Sequence, residues 1–64
     1  MKRTELKVFR ISKGYTQKDV AKMLGISTNH YACIEQGTHN PSTKLVKVFC
    51  KVFGKENANL IIGS

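Results

Sequence analysis

Long apolar runs are missing from these 64 residues. None approaches the ~18 to 20 apolar residues of a membrane span, so no crossing helix is expected. The opening Met1-Lys2-Arg3-Thr4-Glu5 is basic, but no apolar stretch of signal-peptide length follows it. Cysteine is scarce as well. Cys33 and Cys50 are too few for a disulfide scaffold, and the chain reads as cytoplasmic with reduced thiols. Acidic residues are the most telling shortage: four Asp or Glu stand against eleven Lys or Arg, a net charge of +7. Such an excess points to a polyanionic partner, nucleic acid first and an anionic membrane second. Length adds its own limit. A chain this short buries only about 60 % of its unfolded surface, so one domain, residues 1–64, with a thin core is expected. A lined pocket of the usual ligand-site volume has little room, so neither an enzyme nor a cofactor or small-molecule site is expected.

What the chain does have is regular helical punctuation. A first helix is expected over roughly Thr4 to Lys13, with Thr4 as its cap, Glu5 in its first turn, and Leu6, Phe9 and Ile11 inward. Gly14 is its stop signal. Thr16-Gln17-Lys18-Asp19 has the shape of a capping box and announces a second helix, with Val20, Ala21 and Leu24 on its apolar face and Gly25 at its end. Ser27 caps a third helix, with Tyr31 and Ile34 inward, stopped by Gly37. After a polar loop, Ser42 caps a fourth helix from about Thr43 to Phe53. Its core stripe is read as Val46, Phe49, Cys50 and Phe53, with Leu45, Val48 and Val52 as a second apolar stripe beside it. Asn57 is placed as the cap of a short fifth helix carrying Ala58, Leu60, Ile61 and Ile62. Nothing alternates with period two for long enough to be a strand. The expected fold is all-α: a compact bundle of four helices plus a short C-terminal fifth.

Residues Gln17 to Gln36 fit a helix-turn-helix. The small Ala21 sits where the two helices would cross, Gly25 sits in the turn, and Val20, Leu24, Ile26, Tyr31 and Ile34 fall on positions that must be apolar. Arg10, Gly14-Tyr15-Thr16-Gln17, Ala21, Leu24-Gly25-Ile26-Ser27, Ile34-Glu35, Gly37 and Asn40-Pro41-Ser42 resemble the Cro/C1-type helix-turn-helix domains of phage Cro proteins and repressors. The resemblance runs without gaps from the first helix into the fourth.

That resemblance implies roles. Thr28, Asn29 and Cys33 match outward positions of a recognition helix, and His30 matches a place between base and backbone. Gln17 matches a glutamine that binds a DNA phosphate at a helix N-terminus, a natural anion site. Gln36, Thr38, His39, Asn40 and Lys44 match positions that grip the second strand's backbone, and Arg10 and Glu35 match a structural ion pair. Chemistry adds detail. Asn29 can pair bidentately with adenine. A thiol is a weak hydrogen-bond partner, so Cys33 contacts a thymine methyl or nothing. Lys18 and Lys44, near helix starts that flank the motif, are the better phosphate candidates among the lysines. The segment Thr28 to Gln36 holds no Lys or Arg, so the commonest contact to guanine is missing from it. Tyr31 stands where a smaller aliphatic residue is usual, and its hydroxyl, if buried, needs a partner. His30 and Cys33 are one helical turn apart, but no metal site is expected.

The expected function is therefore transcriptional regulation by occupying a double-stranded DNA operator, with the third helix in the major groove and repression the expected sign. A homodimer is expected through Leu60, Ile61 and Ile62, with Leu45, Val48 and Val52 adding apolar area. The rival is a protein-interaction module, or an antitoxin-like partner, built on the same fold.

Overall fold

Local capping chemistry explains most helix boundaries. The computed structural model describes residues 3–63, and they form α1 (Thr4–Ser12), α2 (Gln17–Leu24), α3 (Thr28–Gln36), α4 (Thr43–Phe53), a 3-10 turn (Lys55–Asn57) and α5 (Ala58–Ile62). No strand occurs among the described residues. Thr16 and Asp19 form the reciprocal capping box: Asp19 N–H donates to Thr16 Oγ1 at 3.1 Å, and Thr16 N–H donates to an Asp19 carboxylate oxygen at 2.9 Å. Ser27 and Ser42 accept in the same way from His30 and Leu45. Gly25 and Gly37 close α2 and α3 at φ 74 and 84, a left-handed turn that suits glycine.

Two expected caps are not found. The residue before α1 is Arg3, and Thr4 is already helical, with no side-chain cap. Asn57 precedes α5 without capping it; its side-chain amide donates instead to the Phe53 carbonyl at 2.7 Å, sealing the end of α4. Lys13 likewise falls just past α1.

The core gathers Leu6, Val20, Ala21, Leu24, Tyr31, Ile34, Leu45, Phe49 and Ile61. It holds α2 against α3, with α1, α4 and α5 closing around them. Ala21, expected at the crossing of α2 and α3, is buried in the core. On α4 the inward stripe is Leu45 and Phe49, while Val46, Cys50 and Phe53 are half-buried. Two neighbouring apolar stripes differ by one residue in register, and packing rather than periodicity chooses between them. Ile61 also lies in the core, whereas Ile62 is exposed. Ile11 points to solvent, and Phe9 instead meets Phe53 edge-on at 5.6 Å. No helix among the described residues is long and apolar enough to cross a membrane.

Candidate nucleic-acid interface

A frame of charged groups fixes the angle between α1, α2 and α3. Arg10 donates to Glu35 through Nε at 2.9 Å and through Nη2 at 3.2 Å, a bidentate pair that links α1 to the end of α3. A third Arg10 donor reaches the Tyr15 carbonyl at 2.9 Å. Gln17, the first residue of α2, donates its side-chain amide to Glu35 Oε1 at 3.2 Å. Burial is the largest single influence on Glu35 and opposes its ionisation. The surrounding donors, Arg10 foremost, outweigh it and hold its pKa below the ordinary carboxylate value. Arg10 is held more firmly protonated, chiefly by its hydrogen bonds to Glu35. Tyr31 lies beside this pair, fully buried; its hydroxyl is turned to the Glu35 carboxylate without a well-formed hydrogen bond to it. Burial pushes its pKa well above the usual phenol value.

On this frame α3 presents Thr28, Asn29 and His30 to solvent in its first turn, with Cys33 half-buried one turn on. The inward side is pinned by Tyr31 and Ile34, so the outward residues have a fixed direction. The loop after α3 folds back over it. The Cys33 carbonyl accepts from the backbone N–H and hydroxyl of Thr38, at 3.0 and 3.1 Å, and from His39 N–H at 3.3 Å. This fold-back sets the His39 ring edge-on to His30, with centroids 6.1 Å apart.

Lys18 and Lys44 stand exposed in the first turns of α2 and α4. Gln17 and Gln36 line one cleft of about 510 Å³, together with Arg3, Thr4, Lys7 and Glu35. Thr38, His39 and Asn40 sit together, exposed, on the loop between α3 and α4. Among the described residues no group of three or more His, Cys, Asp or Glu is placed to hold a metal ion, and both cysteines are free.

Residues 6–56 match a family model described as helix-turn-helix. The chain belongs to the Cro/C1-type helix-turn-helix family. A helix-turn-helix-type transcriptional regulator of Methanocaldococcus jannaschii is 37 % identical over 60 residues, covering 94 % of this chain and 91 % of that protein. One from Bacillus subtilis is 45 % identical over 47 residues, covering 73 % of this chain and 62 % of that protein. A transcriptional repressor of the cryptic phage CTXphi, from Vibrio cholerae, is 28 % identical over 61 residues, covering 95 % of this chain and 55 % of that protein. No solved structure matches the chain. As a member of this family of transcriptional regulators, the helix-turn-helix protein is a DNA-binding regulator of transcription.

Three placements escape a reading of the helix-turn-helix sequence alone. Arg3 is buried and joined to the loop carrying Thr38, His39 and Asn40. Lys7 brings a cation to the cleft of Gln17 and Gln36, and His39 lies against His30. The histidine meeting depends on the fold-back of the Gly37 turn, and the glycine after α3 was its one visible signal. Arg3 and Lys7 lie ahead of the helix-turn-helix, and no motif marks them.

Proposed function

We propose that the chain is a sequence-specific regulator that binds a double-stranded DNA operator, lays α3 in the major groove and represses transcription. The observation that carries this reading is the outward first turn of α3, where Thr28, Asn29 and His30 are exposed on a helix whose other face is locked into the core. In this reading Thr28, Asn29, His30 and Cys33 meet base edges. Gln17, Lys18, Gln36, Thr38, His39, Asn40 and Lys44 meet the backbone, while Arg10 and Glu35 hold the frame. Residues 1–64 act as one DNA-binding domain, in the cytoplasm where its DNA partner is. The name of the phage relative supports repression as the sign of regulation.

Base readout and phosphate positioning are separable in a selection from random duplexes. Asn29→Ala is expected to relax preference at one position of the recovered motif, an adenine. Lys44→Ala is expected to weaken all sequences alike. An unchanged motif for Asn29→Ala would remove that residue from the reading frame.

A homodimer near α5 belongs to the same reading, since one such module reads few base pairs. With Leu45 and Ile61 buried in the core, the available apolar surface shrinks to Ile62, 52 % exposed, and Val52, 39 % exposed, with Leu60 and Val48 half-buried. The two recognition helices would lie about 34 Å apart, matching half-sites one DNA turn apart. Sedimentation on a short palindromic duplex is expected to give two chains per duplex; one chain with a non-symmetric footprint would remove the dimer.

A second reading, a protein-interaction module or antitoxin-like partner, is favoured by Val8 and Ile11. They stand 60 % and 56 % exposed on the outer side of α1. Salt separates the two. DNA binding weakens steeply between about 50 and 200 mM salt, by counterion release, and an apolar interface does not.

A further inference from the structure

Arg3 is 9 % exposed, and its guanidinium faces no carboxylate among its hydrogen-bond partners. Its partners are oxygens from three separate segments. Nε donates to the Ile61 carbonyl at 2.7 Å, and Nη1 donates to the carbonyls of Ile34 at 2.6 Å and His39 at 3.3 Å. Nη2 donates to Asn40 Oδ1 at 3.2 Å and to the Ile62 carbonyl at 3.5 Å. The Arg3 backbone N–H closes the set on the Glu35 carbonyl at 2.8 Å. The carbonyls of Ile34, Glu35, Ile61 and Ile62 belong to the last turns of α3 and α5, where the helix dipoles leave partial negative charge. One planar cation therefore gathers two helix ends and the loop between α3 and α4.

A guanidinium only donates. Any group it faces must present an acceptor, so the Asn40 side chain is oriented by chemistry: its oxygen turns to Arg3 and its NH2 turns away. Asn40 is exposed overall, so both amide donors are offered to solvent beside His39, whose own carbonyl Arg3 also holds. An asparagine free to rotate would offer oxygen as readily as nitrogen, and oxygen repels a phosphate. We propose that Arg3 is a positioning residue for DNA binding, acting through Asn40 by holding its amide with the donors toward a backbone phosphate. The proposal rests on the reading of Asn40 as a phosphate contact. A lysine at position 3 keeps the charge but offers one compact ammonium, which cannot span the same set of oxygens.

The test is a double-mutant cycle on the full chain, read by equilibrium binding to a mixed-sequence duplex, which reports backbone contacts alone. Asn40→Ala is expected to weaken binding about tenfold, the scale of one charge-assisted hydrogen bond, and Arg3→Lys about twofold, because an amide free to rotate still presents its donors about half the time. The double variant is expected to bind no more weakly than Asn40→Ala. The slope of affinity against salt stays unchanged throughout, because a neutral amide releases no counterion. Asn40→Asp guards against Arg3→Lys failing to fold. It keeps the acceptor facing Arg3, so its melting temperature is expected to match or exceed the parent's, while its binding falls because a carboxylate has no donors and repels the phosphate. Additive losses in the cycle, or an Asn40→Asp or Asn40→Ala that binds like the parent, would overturn the proposal. A parent that does not hold the duplex at low salt would instead overturn the DNA-binding reading beneath it.

Discussion

Replacing Glu35 with leucine removes the carboxylate on which α1, α2 and α3 converge. Arg10 would then keep one partner, the Tyr15 carbonyl, at a site only 9 % exposed, and the Gln17 amide would lose its acceptor. Removing one member of a buried pair costs about 3–5 kcal/mol, because the survivor is an uncompensated charge. The pair borders the cleft lined by Gln17 and Gln36, so the lower end, about 3 kcal/mol, applies here. At roughly 0.05–0.15 kcal/mol per residue, a chain of 64 residues has about 3–10 kcal/mol in total, so the loss is a third of its stability or more. Urea unfolding at neutral pH measures it. With a slope near ~1 kcal/mol per molar for so small a chain, the midpoint should fall by about 3 M. The combined Arg10→Met, Glu35→Leu variant supplies the control. It strands no charge and is expected to recover most of the loss, to within about 1 kcal/mol of the parent. A single variant that loses less than about 1 kcal/mol, or a double variant as damaged as the single, would refute the reasoning.

Four further outcomes are expected. Tyr31→Phe removes a buried hydroxyl that has no well-formed hydrogen bond, so it should leave stability at pH 7 unchanged or raise it by up to ~1 kcal/mol; a loss of that size would show that the hydroxyl serves the Glu35 carboxylate as a donor. The raised phenol pKa means that the folded state favours neutral Tyr31. That contribution is whole below about pH 10 and is lost as pH rises beyond it, so an alkaline stability series should show a decline that Tyr31→Phe lacks. Glu35 has the opposite sign. Its lowered pKa supplies stability that is present above the ordinary carboxylate value of 4.5 and lost as pH falls through the folded value. Acid unfolding should therefore be shallower in the double Arg10→Met, Glu35→Leu variant than in the parent. Ala21→Leu forces a larger side chain between α2 and α3 and should cost about 1–3 kcal/mol; a melting temperature within a few degrees of the parent's would show that the crossing lies elsewhere.

The features that the sequence reveals and those that it hides divide along a physical line. Thr16, Ser27 and Ser42 announce their helices because a cap bonds within three residues, a range that local sequence encodes. Gly25 and Gly37 do so because a left-handed turn narrows the choice of residue. The face that α4 buries is a tertiary matter: Leu45 and Val46 are equally apolar neighbours, and only packing beneath α5 and beside α2 chooses Leu45. Arg10 and Glu35 become a pair through family resemblance alone, since they are 25 residues apart with nothing local to join them. Arg3 carries no local signal at all. Its partners are mostly main-chain carbonyls, which every residue type supplies, up to 59 positions away. The outward residues of α3 follow from register once the helix is placed, which is why Thr28, Asn29 and His30 emerge exposed as read.

The chain has two arginines, Arg3 and Arg10, and both lie inside, while every lysine among the described residues is exposed. The two kinds of cation answer to different chemistry. Acylation neutralises an ammonium but leaves a guanidinium charged. A mild lysine-acylating reagent would therefore strip the outer positive charge while Arg3 and Arg10 kept theirs, turning the same folded bundle from a polycation into a nearly neutral particle.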